Sequence, residues 1–399
     1  MGPFAGAGPG LLRDRWLTCG HSGEPDAYTA GAKAALDAVQ GRADAKLLVV
    51  FCSESYDLDA LLKGIASQAG ATPLVGCSTA GEIATAGPAD ASVIVVAIGG
   101  PGFSVATGVG TDSSGDLRRA TTTAVDACMG AVEQRAHSVI LLLTDGLGGD
   151  QMEVVRGAYA VVGAEIPLVG GCAGDDLKMK ATFQLFGDRA LRDSVVAAAV
   201  SSDAPIGIGV QHGWRRVGDP MLVTSSNGNR VHTLDDQPAL DVYLRRLDVP
   251  PAIHDDPDAF TRFALTHPLG ISRRSGEEVR FVAGADFADR SLACIASVPQ
   301  GGLAWIMEGD EHSVLEATDG ACAEALAGLG GRPPLGLLAF DCIARRGVLG
   351  DPGIRREIER IAAFAGGAPV AGFYTYGEIA RTTGMRGFHN QTLVVLALA

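Results

Sequence analysis

Glu82 and Glu378 are the best candidates for chemical function in this sequence, because each lies near the end of a copy of one short repeated phrase. The copies span residues 73–84 and 369–380 and align without a gap. Each begins as an apolar run, breaks at glycine, and continues through small polar residues to Gly-Glu-Ile-Ala. Two carboxylates from equivalent loops could hold an ammonium group or share a proton. The alternative is a structural hairpin in which each glutamate accepts hydrogen bonds from backbone amides.

A third and looser copy spans residues 167–176 and ends in a pair of aspartates. Repeats at such wide spacing indicate duplicated structural units rather than a solenoid. Amides beside the glycines could hold a carboxylate, so the loops together offer partners for both charges of an amino acid. Two tyrosines in the last copy could form the wall of a pocket. From these three loops we predict the following ligand-binding residues: Gly76, Cys77, Ser78, Thr79, Gly81, Glu82, Gly171, Cys172, Asp175, Tyr374, Thr375, Tyr376 and Glu378.

An enzyme would need a nucleophile, and Cys77 is the best candidate for one. It stands at a predicted strand end, before a small polar loop. The copy in residues 369–380 has Phe373 at the matching place, so the duplication does not repeat the thiol. We therefore assign no catalytic residue and keep a thiol-dependent enzyme using Cys77 as an alternative.

Composition sets the class of protein. The chain has 399 residues, 47% of them hydrophobic, and a formal net charge of −14. An acidic chain is disfavoured as a partner of nucleic acid or of an anionic membrane surface, since both need a basic face. The eight cysteines form no Cys-x-x-Cys pair, so we expect buried, reduced thiols in a cytoplasmic protein and no metal site. No apolar run is long enough to span a bilayer.

The pattern of apolar residues predicts an α/β fold. Three strand–helix–strand units end in the repeated phrases, and each should place its two strands parallel. Antiparallel strands follow each unit, one predicted pair being Ser92–Ile98 with Phe103–Val109 across a Gly-Gly-Pro-Gly break. We therefore expect duplicated β-α-β units followed by antiparallel strands, in mixed sheets flanked by helices, with two pseudo-equivalent halves.

Helix starts and a chain division follow from capping residues and loops. Asp112 and Asp236 are predicted to begin helices, and Phe263–Thr266 is predicted to be a strand. The stretch around Asp255-Asp256-Pro257-Asp258 has the composition of a surface loop. The predicted organisation is a flexible tail and lead-in over residues 1–30, an N-terminal domain over 31–234, and a C-terminal domain over 235–399.

Three phrases, in this order along the chain, resemble the FIST family of sensory proteins, which have an N-terminal and a C-terminal FIST domain. They are Gly76-Cys77-Ser78-Thr79-Ala80-Gly81-Glu82-Ile83, the stretch 209–214 with Asn229-Arg230-Val231, and Gly372-Phe373-Tyr374-Thr375-Tyr376-Gly377-Glu378-Ile379. The resemblance implies cytoplasmic, non-catalytic sensing of a small polar ligand, such as an amino acid, in bacterial signal transduction. The sequence shows no kinase, cyclase or methyl-accepting segment, so we expect output through a separate protein such as a histidine kinase or a cyclase.

Some FIST relatives bind haem and sense nitric oxide, which makes a haem b sensor an alternative function. No cofactor is expected otherwise. His212 lies at a predicted strand end, where a neutral imidazole could bind haem iron or a ligand, or could be structural. Any haem would be non-covalent, because no Cys-x-x-Cys-His motif is present. Arg230 could bind a ligand carboxylate, or it could pair with Asp235 or Asp236.

Overall fold

The protein is described by a computed structural model over residues 14–247, 249–273, 276–382 and 387–399. The first part of the predicted tail, residues 1–13, lies outside these ranges. Residues 16–30 are not a flexible lead-in: they form a strand and the start of a helix. No helix in the described ranges is long and apolar enough to cross a membrane.

The core of the molecule consists of three units with one plan: strand, helix, strand, helix, strand, hairpin, strand. The first unit comprises β1 (Trp16–Ser22), α1 (Ala27–Val39), β2 (Ala45–Cys52), α2 (Leu58–Ala69), β3 (Leu74–Ser78), the hairpin β4 (Glu82–Ala84) and β5 (Gly87–Ala89), and β6 (Val93–Gly99). The second comprises β7 (Phe103–Thr111), α3 (Leu117–Ala131), β8 (His137–Thr144), α4 (Met152–Val162), β9 (Leu168–Cys172), the hairpin β10 (Gln184–Phe186) and β11 (Arg189–Leu191), and β12 (Ser194–Ser202).

The third unit begins with β13 (Ile206–Gln211) and is then interrupted by residues 215–308, called here the inserted unit. The inserted unit comprises β14 (Arg215–Asn227), β15 (Arg230–Leu234), β16 (Gln237–Pro238), α5 (Ala239–Arg246), a short 3-10 helix (Pro251–Ile253), α6 (Pro257–Ala264), β17 (Leu269–Arg273), β18 (Gly276–Arg280), β19 (Val282–Asp286), β20 (Ser291–Cys294) and β21 (Leu303–Glu308). The third unit resumes with α7 (Glu311–Ala327), β22 (Gly336–Cys342), α8 (Ile343–Ala365), β23 (Val370–Thr375), the hairpin β24 (Glu378–Arg381) and β25 (Phe388–His389), and β26 (Leu393–Leu398).

Each unit gives its hairpin to the sheet of another unit. The three six-stranded sheets have the orders β1-β6-β2-β3-β10-β11, β7-β12-β8-β9-β24-β25 and β13-β26-β22-β23-β4-β5. In each sheet the hairpin pairs antiparallel with the strand that carries the repeated phrase. The second and third strands of every unit are parallel, which confirms the three predicted β-α-β units.

The exchange of hairpins makes the three units one body. The inner faces of the sheets share one core that includes Phe51, Leu143 and Phe340. Phe373 packs against Phe51 and Phe340, with ring centroids 4.8 Å and 5.8 Å away. Each outer face is covered by the two helices of its own unit, in three further cores. The inserted unit has a core of its own.

The mixed α/β fold is confirmed, and the duplication expected as two pseudo-equivalent halves is carried by three units. In the sequence the threefold repeat is hidden, because the second copy is the loosest and the third unit is interrupted. The predicted division near residue 234 falls within the inserted unit, at the end of β15. Strands from 31–234 and from 235–399 share three sheets, two of the core and that of the inserted unit, so the two predicted domains interlock.

Several local predictions were wrong. Ser92–Ile98 and Phe103–Val109 do not pair with each other, because β6 lies between β1 and β2 while β7 pairs with β12. The Gly-Gly-Pro-Gly break leads instead from one sheet to the next. The strand predicted over Phe263–Thr266 is the end of α6 and the turn after it, since Phe260 and Ala264 form its buried side.

Two helix starts were also misplaced. Asp116, not Asp112, caps α3, and its carboxylate accepts from the Arg119 amide. Asp236 has a left-handed backbone, with φ of 61°, in the turn between β15 and β16, and α5 begins after Pro238. Both errors arise because aspartate favours tight turns as readily as helix caps.

Candidate functional site

The three repeated phrases end in loops that are joined to one another by backbone hydrogen bonds. The Gly174 amide donates to the carbonyl of Ser78 at 3.0 Å. The Ala80 amide donates to Tyr374 at 3.0 Å, and the Tyr376 amide donates to Cys172 at 3.2 Å. The structure therefore brings the three bends together at the ends of β3, β9 and β23.

Glycine in these phrases serves the packing of strands. A Cβ atom on Gly76 would lie 2.4 Å from the carbonyl oxygen of Val50, and one on Gly372 would lie 1.9 Å from that of Ala339. Real Cβ atoms essentially never approach so closely, so both positions need glycine to let neighbouring strands meet. Gly171 is constrained too, since its Cβ would lie 2.7 Å from Thr375 Cγ2.

Glu82 is fully buried and ties its loop to the start of β6. Its carboxyl accepts from the amide of Ser92 at 3.2 Å and from the Ser92 hydroxyl at 2.6 Å, and it contacts Thr79 Oγ1. Burial raises the pKa of Glu82 to about 8, although the hydrogen bonds from Ser92 and Thr79 oppose this shift.

Glu378 repeats this arrangement at the start of β26. Its carboxyl accepts from the Thr392 amide at 3.1 Å, from the Thr392 hydroxyl at 2.8 Å and from Thr375 Oγ1 at 2.5 Å. Burial raises the pKa of Glu378 to about 7. The two carboxyls have separate partners and no exposed surface, so both act as the structural hairpin interpretation predicts.

The second unit has Gln184 at the equivalent place, and sequence comparison of the phrases missed it. Gln184 pairs with Cys77 in register, as Glu82 pairs with Phe373 and Glu378 with Gly171. In the second unit a longer loop, residues 175–183, comes before Gln184. The second copy therefore cannot be aligned with the other two as far as Gln184 without a gap. The signal that could have found it is the short apolar strand that follows Gln184.

That longer loop is organised by Asp175. Its carboxylate accepts from the amides of Met179 at 3.0 Å, Lys180 at 2.6 Å and Ala181 at 3.0 Å, and from the Tyr376 hydroxyl at 2.5 Å. Although desolvation opposes them, these bonds lower the pKa of Asp175. Asp175 and Tyr376 therefore shape the loop rather than leaving polar groups for a ligand.

An open cavity of about 520 Å³ lies beside the joined loops. We call it the Arg346 cleft. Its walls come from all three units: the loop after β3 and the approach to β6, the loop after β9, and the start of α8. The lining residues are Ala80, Asp90, Ala91, Asp176, Leu177, Ile343, Arg346, Gly347, Gly350 and Asp351.

Arg346 is the cation of the cleft. Its guanidinium donates to both oxygens of Asp90, at 2.8 and 2.9 Å, and to the carbonyl of Ala80 at 3.0 Å. It lies over the Tyr374 ring, 4.9 Å from the centroid. Gly81 has a φ of 110°, and a Cβ there would lie 2.2 Å from Arg346 Nη1, so this glycine leaves room for the arginine.

Carboxylates outnumber the cation in the cleft. Asp176 and Asp351 line it in addition to Asp90. Desolvation and the charge of Glu54 raise the pKa of Asp176. The cleft therefore offers one guanidinium fork and two further acids, an arrangement that suits a small ligand with both an acidic and a basic group.

A second cavity lies beside α4, the helix of the second unit that corresponds to α8. There the loop before α4, at Gly149 and Asp150, faces Gly228, Asn229 and residues 295–297 of the inserted unit across a smaller cavity of about 340 Å³. Residues of the inserted unit therefore line this second cavity, whereas none of them lines the Arg346 cleft.

The remaining predicted site residues lie elsewhere. Cys77 is fully buried, and burial raises the pKa of its thiol well above the usual value, which does not suit a nucleophile. Arg230 lies on β15 of the inserted unit. It donates to Ser291 at 2.7 Å and pairs with Asp286 and Asp289, so the predicted pairing with Asp235 or Asp236 was wrong.

His212 lies where the chain enters the inserted unit. Its Nδ1 accepts from the Trp214 amide at 3.0 Å, and burial lowers its pKa. An imidazole whose Nδ1 accepts carries its proton on Nε2, the reverse of the tautomer in which Nε2 binds a metal. This hydrogen bond therefore does not fit His212 as a haem ligand through Nε2.

Comparison with known proteins agrees with the resemblance in the sequence. The FIST N domain matches residues 46–237 and the FIST C domain matches residues 239–381. The uncharacterized protein MJ1623 of Methanocaldococcus jannaschii is 30% identical over 129 residues, which are 30% of this chain and 25% of that relative. The chain thus spans about a quarter of the length of this curated relative.

Two solved structures show weak similarity. A cyanuric acid hydrolase from A. caulinodans is 12% identical with a TM-score of 0.30, covering 47% of this chain and 71% of that one. T. maritima PurL complexed with ATP is 13% identical with a TM-score of 0.22, covering 97% of this chain and 72% of that one.

Proposed function

This chain belongs to the FIST family, whose domains are generally sensory domains of signal transduction, and from that premise we propose that it senses a small polar ligand in the Arg346 cleft. The observation that carries the proposal is the cavity of about 520 Å³ at the joined loops, with Arg346 in its wall. A cavity of this size is in the usual range for small-molecule sites.

An α-amino acid is the ligand class that we propose. Arg346 is held in place by Tyr374 and Ala80, whereas the side chain of its partner Asp90 is 63% exposed. A ligand carboxylate can therefore replace Asp90 on the guanidinium fork, and Asp90 returns to water at little cost. The ligand ammonium would lie toward Asp176 and Asp351.

The proposal moves the ligand away from Glu82 and Glu378. Both carboxyls are buried and accept hydrogen bonds from residues of their own unit. They therefore stabilise the joined loops beside the cleft. Ala80 and Ala91, which line the cleft, are close in sequence to Thr79 and Ser92, the partners of Glu82. Ligand binding can therefore affect the loops that the repeated phrases build.

We propose a sensor without catalysis, because the best nucleophile in the sequence, Cys77, is inaccessible and has a raised pKa. The family implies a cytoplasmic protein, and we propose that its output passes to a separate partner, such as a histidine kinase or a cyclase.

Thermal unfolding in the presence of single amino acids tests the proposal. A ligand that binds only the native state raises the melting temperature, by an amount equivalent to about 2.7 kcal/mol at a hundred times its Kd. We expect at least one common amino acid at millimolar concentration to raise it, and Arg346→Gln and Asp176→Asn to abolish the shift.

Arg118→Gln, on an exposed position of α3, is the matched control and should keep the shift. If no amino acid changes the melting temperature, or if Arg346→Gln leaves the shift intact, the proposed site is wrong.

A further inference from the structure

One short helical segment has one side in the Arg346 cleft and another side against the root of the inserted unit. We call residues 343–349, the first part of α8, the linking segment. Ile343, Arg346 and Gly347 line the cleft, together with Gly350 just beyond the segment. Any group that displaces Asp90 from Arg346 acts directly on this segment.

The other side of the segment contacts the place where the chain enters and leaves the inserted unit. Arg345 Nη1 donates to the carbonyl of His212 at 3.2 Å. Val348 packs against a small buried cluster that includes Trp214 and Met307, at the two ends of the inserted unit. Neighbouring residues of the segment thus face different bodies.

Arg345 gives the segment a fixed point. Its side chain is completely buried between Asp341, at 2.7 Å, and Glu357, at 2.5 Å, and it also donates to Thr318 at 3.0 Å. Breaking one member of such a buried group is costly, because an uncompensated charge remains. Arg345 therefore holds the segment in its place.

Glycines mark both ends of this connection. Gly350 has φ of 59° and ψ of 176°, so it interrupts α8 and separates the linking segment from residues 351–365. At the root of the inserted unit, Gly213 has φ of 79°, and a Cβ on Gly309 would lie 2.5 Å from the Trp214 ring. Entry and exit of the inserted unit therefore lie together at one narrow joint.

We propose that the linking segment couples the Arg346 cleft to the inserted unit, and that the inserted unit is the body whose position reports ligand binding. This inference rests on the proposed function for its ligand, but the coupling itself is a property of the contacts. Because coupling between two sites is reciprocal, a change at the root of the inserted unit must also alter the cleft.

Hydrogen exchange of the full chain, followed by mass spectrometry, tests the coupling without any ligand. Asp90→Asn breaks the exposed side of the Arg346 pair and should not disturb folding. We expect amides in residues 211–216 and 303–309 to exchange at least about threefold faster than in the wild type, because the joint opens more often. Asp319→Asn, which breaks the ion pair between Asp319 and Arg360 in the third unit, is the matched control. It should leave the exchange rates of these amides unchanged.

A second arm adds a millimolar mixture of the common amino acids to the wild-type protein. Slower exchange in both 343–350 and 211–216 supports the coupling and the ligand class. If Asp90→Asn speeds exchange at the root while the mixture protects nothing, the coupling stands and the amino-acid ligand is rejected. If the mixture protects 343–350 but neither arm changes the root of the inserted unit, the coupling is refuted while the proposed function stands.

Discussion

Gln184 holds in the second unit the place that Glu82 holds in the first. Both residues begin the first strand of an exchanged hairpin and pair in register with the residue after the strand glycine of the unit that receives it. In the second unit, the threonine that contacts the carboxyl of Glu82 is replaced by an alanine, Ala173. A glutamine thus occupies this position in the second unit, where its amide is buried and has no hydrogen-bond partner among the described residues.

The raised pKa values of Glu82 and Glu378 predict that stability falls with rising pH. Each carboxyl binds its proton more tightly in the folded protein than in the unfolded chain, where its pKa is near 4.5. Their contribution is therefore fully present below pH 4.5 and is lost as pH rises, through about 7 for Glu378 and about 8 for Glu82. Each group can lower the free energy of unfolding by up to ~1.4 kcal/mol per pH unit in its window.

Urea unfolding across this range measures the effect, with Glu82→Gln and Glu378→Gln as the test variants. Each variant should flatten the decline, and the double variant should flatten it most. A slope that is identical in the wild type and the double variant would show that these carboxyls are ionised in the folded protein.

The sequence could predict the parts of the site that are local. Matching phrases identified Glu82 and Glu378 and their threonine partners, and each strand–helix–strand unit followed from apolar periodicity and capping residues. Gln184 could not be found in this way, since the loop over residues 175–183 hides its equivalence. Asp90 and Arg346 also escaped notice, because their pairing spans 256 residues and neither belongs to a repeated phrase.

The exchange of hairpins between units could not be predicted from the sequence, for a physical reason. A two-stranded hairpin such as Glu82–Ala89 is locally complete, and nothing in its residues says which third strand it joins. In the folded protein β4 pairs with β23, and Glu82 lies opposite Phe373, whose ring packs in the core that the three sheets share. Such long-range pairing becomes visible only when all three units are assembled.

Gly372→Ala should destabilise the protein strongly. Its Cβ would meet the Ala339 carbonyl at 1.9 Å, and a backbone atom in a central strand cannot move away cheaply. We expect a loss of about 3 kcal/mol in the free energy of unfolding, from strain in a tightly packed sheet. Gly130→Ala is the control, because a Cβ there meets nothing within 4 Å. It should change stability by less than about 1 kcal/mol, and equal effects in both variants would refute the packing role.

The cysteine thiols should react very slowly with reagents while the protein is folded. Of the eight cysteines, only Cys19 is partly exposed and the other seven are buried. Titration with a coloured disulfide reagent should therefore detect at most one rapidly reacting thiol before denaturation and all eight afterwards. Cys77→Ser should leave the native count unchanged, and fast modification of Cys77 would revive the enzyme alternative.

Arg345 and Asp341 should differ sharply in their importance for stability. Arg345→Met leaves Asp341 and Glu357 buried without their cation, and we expect a loss of about 3–5 kcal/mol. Asp341→Asn keeps an oxygen acceptor for Arg345 and leaves Glu357 as its counter-charge, so it should cost only about 1 kcal/mol. Denaturant unfolding of the two variants compares them, and a larger loss in Asp341→Asn than in Arg345→Met would contradict this order.

The loop over residues 175–181 should depend on Asp175 for its shape. Asp176, Leu177 and Met179 all have positive φ values, of 53°, 61° and 53°. Residues other than glycine seldom adopt such a backbone conformation unless something holds them in it. The constraint comes from the Asp175 carboxylate, which accepts three backbone amides, and from the Tyr376 hydroxyl, which accepts from Leu177. Asp175→Ala removes the larger share of these bonds and should let the segment fluctuate.

Trypsin reports the change directly, because Lys178 and Lys180 lie in the loop. We expect Asp175→Ala to be cleaved there many times faster than the wild type, and Tyr376→Phe to show a smaller increase. Cleavage after Lys63, which lies in helix α2, gives the internal control and should not change. If Asp175→Ala is as resistant as the wild type at Lys178 and Lys180, packing of the loop must hold its shape without the carboxylate.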